Sequence, residues 1–129
     1  MTREEYLTKP QQYALVYSQG SSWVSKLLVM RALPNDLPLS RYGFSVSKRV
    51  GKAVTRNRVK RRLREITKIM PVIPGWDIIF IVRPPAAAAN YAGLKIMVED
   101  LLSRDRLMES GEKEDGLADD EARMTESQR

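Results

Sequence analysis

Between Lys48 and Lys68 the chain sets ten Lys or Arg residues against a single acid, Glu65, and runs most of them along one stretch, TRNRVKRRLREITKIM, from Thr55 to Met70. At ~100° per residue, Val59, Leu63, Ile66 and Met70 fall on a narrow stripe with Ile69 at its edge. A helix with one apolar stripe has to lay it on a sheet and leave its charges outside. Asn57, Lys60, Arg61, Arg64 and Lys68 lie opposite the stripe. Arg56, Arg58 and Arg62 flank it, where long side chains run along apolar surface and still present their charge. The helix is predicted to begin between Lys52 and Thr55, with Thr55 as N-cap, and Pro71 ends it.

The cations are unevenly spread over the chain. Residues 1–104 carry 18 basic and 7 acidic side chains, net +11, whereas residues 105–129 carry 4 and 9, net −5. Like charges held together repel, so a domain this basic implies an oppositely charged partner, for which nucleic acid is the commonest choice and a membrane surface the weaker one. No apolar stretch approaches the ~18 residues of a membrane span. The start, MTREEYLTKPQQY, has no apolar signal-peptide core. The expectation is a soluble, cytoplasmic protein with one folded domain over 1–107 and an acidic, disordered tail over 108–129, where apolar residues are few and periodicity is lost.

Cysteine and histidine are both absent, which removes disulfides, zinc fingers, Cys or His nucleophiles and the usual neutral-pH proton carrier. The acids of the basic region, Glu4, Glu5, Asp36, Glu65, Asp77, Glu99 and Asp100, are scattered without the clustering a two-metal site requires. The polypeptide alone does not read as catalytic, and no metal site is expected in it.

Along the chain, Lys9 to Gly20 predicts a short helix with Tyr13, Leu15, Val16 and Tyr17. Ser25 to Leu33 reads as a strand with Lys26 and Arg31 on opposite faces, followed by the turn-rich PNDLPLS. Tyr42 to Ser47 alternates, with Tyr42, Phe44 and Val46 on one face and Gly43, Ser45 and Ser47 on the other. These two strands are expected to form an antiparallel pair. Trp76 to Val82, almost wholly apolar, reads as a central strand buried on both faces. PPAAAA (84–89) is expected as a loop. A last helix from about Asn90 carries Leu94, Met97, Val98, Leu101 and Leu102 on one side. The predicted fold class is α/β (α+β): a two-layer sandwich in helix-strands-helix-strand-helix order, with a mixed, mainly antiparallel sheet and a split β-α-β crossover.

The stretch GFSVSKRVGKAVTRNRVKRRLRE, Gly43 to Glu65, resembles the signature of the bacterial ribonuclease P protein subunit: a Ser-Val-Ser-Lys strand, a Gly-x-Ala-Val link and an Arg-Asn-Arg helix. The flanks agree, with Tyr13 and Tyr17 four apart before Gly20, and Asp77 leading an apolar strand into Arg83-Pro84-Pro85-Ala86. The resemblance spans roughly residues 9–104. It implies a ribosomal protein S5 domain 2-like fold with a left-handed crossover. It also implies a role in cleaving the 5′ leader from precursor tRNA, with Mg²⁺ held mainly by the catalytic RNA subunit and substrate. The implied partners are that RNA and the precursor tRNA, with no membrane or DNA; oligomeric state is not indicated.

By the same resemblance, Arg56, Asn57 and Arg58 occupy the hallmark triplet, followed by Lys60, Arg61 and Arg64, with Lys48, Arg49, Lys52 and Lys68 extending the RNA-binding set. Guanidinium forks match phosphate geometry. Tyr13, Tyr17, Val29, Arg31, Ser45 and Ser47 match a cleft that grips the single-stranded leader, where aromatic faces stack on unpaired bases of any sequence. Tyr13 and Tyr17 also read as ordinary core packing of a first helix. Arg31, in place of a frequent aromatic, trades stacking for a phosphate contact, and Trp23 and Trp76 read as packing residues. The rival readings are a non-enzymatic RNA-binding module, such as a ribosomal or assembly protein, and a DNA-binding protein. The second lacks the helix that precedes a recognition helix.

Overall fold

The computed structural model describes residues 5–109. Three helices, α1 (Pro10–Gln19), α2 (Ala53–Lys68) and α3 (Tyr91–Arg104), surround four strands, β1 (Ser21–Val24), β2 (Leu28–Pro34), β3 (Arg41–Ser45) and β4 (Trp76–Val82). The sheet order is β1-β2-β4-β3; β1/β2 and β2/β4 are antiparallel and β3/β4 is parallel. The element order and the mixed, mainly antiparallel sheet match the sequence expectation.

The apolar run of β4 is explained by its two faces. Ile78, Phe80 and Val82 enter a core with Val59, Leu63 and Ile66 of α2 and Leu94, Val98, Leu101 and Leu102 of α3. Ile79 points the other way and meets Val16 of α1 and Leu7, with Tyr13, Leu33 and Ile81 packed around them. Thus α2 and α3 cover one face of the sheet, while the single short helix α1 lies across the other. Each large side chain fully buried in this way contributes about 1.5–3 kcal/mol of transfer free energy.

Several expectations are corrected. Ser25 to Leu33 is not one strand but the end of a hairpin: the Ser25 N–H and Oγ both donate to Leu28 O (2.8 and 2.7 Å), which closes a turn containing Lys26 and joins β1 to β2. The strands on either side of PNDLPLS do not pair, because β4 lies between them. Nor is the crossover split, since β3 and β4 are direct neighbours. The physical reason is burial. β4 is apolar on both faces and takes the interior, whereas β3 puts Arg41, Gly43 and Ser45 on one face and tolerates the edge.

The parallel pairing carries its own ionic clamp, because register sets Arg41 opposite Asp77. Arg41 Nε and Nη2 donate to Asp77 Oδ1 and Oδ2 at 2.9 and 2.8 Å, and Asn35 Nδ2 donates to Oδ1 at 2.8 Å.

Within α2, Lys52 rather than Thr55 is the N-cap, so the helix begins at Ala53, inside the predicted range but ahead of the start that the capping chemistry of Thr55 suggested. At the other end Ile69 is exposed, because the helix stops at Lys68 and Ile69 takes a non-helical conformation. Thr67 is buried instead, its hydroxyl donating to Leu63 O at 2.9 Å. Most of the predicted acidic tail lies outside the described residues. At its start, Met108 bridges Val72 and the Glu109 N–H bonds Pro71 O.

Candidate nucleic-acid interface

The apolar stripe of α2 seats its helix so that three rows of cations emerge. Val59, Leu63 and Ile66 have no exposed surface and face the sheet. On one flank, Arg58 Nη2 donates to Ala87 O (3.3 Å) and Arg62 Nη1 to Ala89 O (2.9 Å), so this pair anchors the turn after β4. Arg56 reaches back, its Nε donating to Gly51 O at 3.0 Å. On the outer row, Asn57, Arg61, Arg64 and Lys68 are exposed, and none of them makes a side-chain hydrogen bond or ion pair among the described residues. Lys60 is half-buried on the flank toward β3.

Lys48 and Arg49, in a 3-10 turn, and Lys52 at the N-cap are exposed just before the helix, which makes one continuous basic surface from 48 to 68. The RNA-binding residues read from the sequence are therefore brought together, but with a division of labour that spacing alone did not show. Arg56, Arg58 and Arg62 each commit part of a guanidinium to the protein's own backbone. The outer row is free.

The second region is the sheet face carrying α1. Strand register aligns Ser22, Arg31, Ile79 and Gly43 in one row across the sheet, and Val24, Val29, Ile81 and Ser45 in the next. Helix α1 lies over the first row: Val16 packs on Ile79, and the Tyr13 ring lies against Gly43, where an added Cβ would stand 2.8 Å from ring Cε2, Cζ and Oη. The second row is only partly covered. Val24 is exposed and Val29, Ile81 and Ser45 are half-buried, so a shallow trough with an apolar floor runs beside α1, with exposed Tyr17 along it. Ser47 continues the alternation beyond the end of β3 and is exposed.

Tyr13 and Tyr17 are tilted against each other with ring centroids 6.5 Å apart. The packing reading of Tyr13 holds in part, since its ring closes over Gly43 and joins the smaller core while remaining partly exposed. Burial raises its phenol pKa above the usual tyrosine value, opposed by a hydrogen bond from the Phe44 backbone and by the charge of Arg64. It therefore remains a neutral ring at physiological pH.

Arg31 is partly committed within the fold. Its Nη2 donates to Tyr17 O (2.6 Å) and Gly20 O (3.2 Å), so part of the guanidinium satisfies the carbonyl end of α1. Gly20 is required there, because a Cβ would sit 2.6 Å from Val16 O and 2.9 Å from Ala32 O. Val24 and Ile81, which form the trough floor together with Val29, were missed from sequence. The first belonged to an unrecognised strand, and the second is indistinguishable from its core neighbours within an unbroken apolar run. Trp23 and Trp76 pack partly buried against the main core, as expected.

The family model described as Ribonuclease P matches residues 1–105. A ribonuclease P protein component of Dehalococcoides mccartyi is 42% identical over 120 residues, covering 92% of this chain and 100% of the relative. One from Roseiflexus sp. is 40% identical over 115 residues, covering 87% and 94%. The solved RNase P protein of Staphylococcus aureus superposes with a TM-score of 0.76 at 29% identity, covering 81% of this chain and 98% of that one. The RNase P protein from Thermotoga maritima gives 0.72 at 27%, covering 78% and 96%.

Proposed function

The chain belongs to the bacterial ribonuclease P protein family and is a protein subunit of that ribonucleoprotein in tRNA processing, and we propose that it works by docking the catalytic RNA on α2 while the trough beside α1 holds the 5′ leader of precursor tRNA. The catalyst is the RNA subunit; the polypeptide contributes binding and orientation. One observation carries the α2 assignment: Arg61, Arg64 and Lys68 form an exposed cationic row with no partner on the protein among the described residues. Unpaired cations held on a rigid rod are costly to keep together unless a polyanion neutralises them.

The leader assignment is supported by the trough's chemistry. Its floor of Val24, Val29 and Ile81 is apolar, its wall carries Tyr17 and Tyr13, and Ser45 and Ser47 offer hydroxyls at one end. Aromatic faces bind unpaired bases without reading their sequence, which suits a substrate whose leaders differ.

We assign Mg²⁺ to the RNA and substrate. That reading is supported by the state of the carboxylates. Asp77 is spent on Arg41, Asp100 pairs with Arg104 at 3.2 Å, and no group of three potential ligands occurs among the described residues. No helix among those residues is long and apolar enough to cross a membrane.

The test is reconstitution of the purified chain with a ribonuclease P RNA and a precursor tRNA at low Mg²⁺. Faster leader removal than by the RNA alone is expected, together with tighter binding of precursor than of mature tRNA. Absence of both effects would falsify the proposal.

A further inference from the structure

A pocket of about 320 Å³ opens at the free edge of β3, on the far side of Tyr13 from the leader trough. Its walls come from separate parts of the chain: Tyr6 from the segment before α1, Tyr13 from α1 itself, Phe44 from β3, and Lys60 with Arg64, one helical turn apart, from α2. The segment is held in place by backbone pairing. Tyr6 bridges Tyr42 and the Leu7 N–H donates to Tyr42 O at 2.8 Å, so the extended chain continues the sheet for one step and then leaves the edge at Phe44 uncovered. The ring centroids of Tyr6 and Phe44 stand 6.3 Å apart with the planes at 55°.

No carboxylate lines the pocket. Burial raises the phenol pKa values of Tyr6 and Tyr13, and the charge of Arg64 acts against it at both; the Glu5 carboxylate, outside the pocket lining, acts more weakly on Tyr6 in the raising direction. Aromatic rings beside two adjacent cations match a base and its phosphate. The volume, at the small end of the ~300–1,000 Å³ range of ligand pockets, suits one nucleotide and excludes a duplex.

We propose that this pocket is a second RNA subsite that accepts one unpaired nucleotide, with its base against Tyr6 and Phe44 and its phosphate between Lys60 and Arg64. The inference rests on the RNA-binding function above and adds a site in which Lys60 and Arg64 of α2 and Tyr13 of the trough wall meet Tyr6 and Phe44, two aromatics that neither assignment uses. Because Tyr13 stands between trough and pocket, the nucleotide belongs either to the precursor, in a strand that passes around the β3 edge, or to the catalytic RNA docked on α2. Both sources share the chemistry.

The experiment uses the full chain in the reconstituted complex, with 4-thiouridine placed in the precursor in one arm and in the catalytic RNA in the other. After irradiation, crosslinks are mapped to peptides. Crosslinks at Tyr6 or Phe44 from one arm are expected, and that arm identifies the strand. In parallel, Tyr6→Leu should weaken binding of the same RNA by about five- to 150-fold, the worth of one stacked base, while Tyr6→Phe should preserve it. Crosslinks confined to α2 and the Tyr17 trough, with Tyr6→Leu binding as wild type, overturn the subsite and leave the subunit function standing. Absence of crosslinks and of binding anywhere overturns both. If Tyr6→Leu fails to fold, the crosslink map on the wild-type chain decides alone.

Discussion

Replacing Gly43 by alanine tests the leader trough through a residue that touches no RNA. The new Cβ would meet two Tyr13 ring carbons and the phenol oxygen at 2.8 Å. Carbon–carbon contacts settle at about 3.5–4.0 Å, so the ring has to retreat by roughly 0.7 Å or more. Two responses compete. If the ring stays, overpacking costs about 1–3 kcal/mol. If it swings outward, it gives up part of its packing over Gly43 and in the smaller core, a loss of about 1 kcal/mol for each methylene-sized part re-exposed.

The cheaper response wins, so urea denaturation should show a loss of about 1 kcal/mol and a folded protein. Binding should change more. A displaced Tyr13 no longer presents its face to the leader, and affinity for precursor tRNA should fall by about 1–3 kcal/mol, the value of one stacked base, while affinity for mature tRNA holds. In a Tyr13→Leu background the same glycine substitution should add less than about 0.5 kcal/mol to the binding loss, because the interaction it disturbs is already gone. An unchanged preference of Gly43→Ala for precursor over mature tRNA, or fully additive losses in the double variant, would refute the placement of Tyr13 in the trough.

Further outcomes follow from the charges. Converting Arg61, Arg64 and Lys68 together to Gln should leave stability nearly unchanged and lower the slope of log affinity against log salt by about 0.7–0.9 for each phosphate that is no longer neutralised; a salt titration of catalytic-RNA binding measures it, and an unchanged slope counts against α2 as the docking surface. Arg62→Gln removes the bond to Ala89 O and should behave oppositely, losing about 1–2 kcal/mol of folding stability by denaturant titration with little change in salt slope. Asp77→Ala leaves Arg41 half-buried without its partner and should cost about 3 kcal/mol or more. A melting temperature within error of wild type would show that the parallel β3–β4 pairing does not depend on this pair.

Which residues seek burial and which seek a polyanion was already decided in the order of the amino acids. The 3.6-residue spacing of Val59, Leu63 and Ile66 set the buried side of α2 before any fold was known, and the unbroken run Trp76–Val82 marked the central strand at its observed bounds. Those signals are local, because a helix or strand repeats its environment every turn or every second residue. The motif from Gly43 to Glu65 went further and pointed to the family to which the chain belongs.

Strand order, by contrast, arose only on folding. Nothing within β2 or β3 says that β4 will come between them; that arrangement follows from which strand can be buried on both faces and from the Arg41–Asp77 pair formed across 36 residues. The same is true of the site's finer divisions. Spacing placed Arg58, Arg61 and Arg62 on one basic helix, but only packing against residues 84–89 turned two of them inward and left the third exposed. Tyr6, which no sequence pattern singled out, joins Phe44, Lys60 and Arg64 because a single backbone bridge to Tyr42 brings it to the sheet edge. Periodicity reports the environment of each element; it carries no information about which distant element supplies that environment.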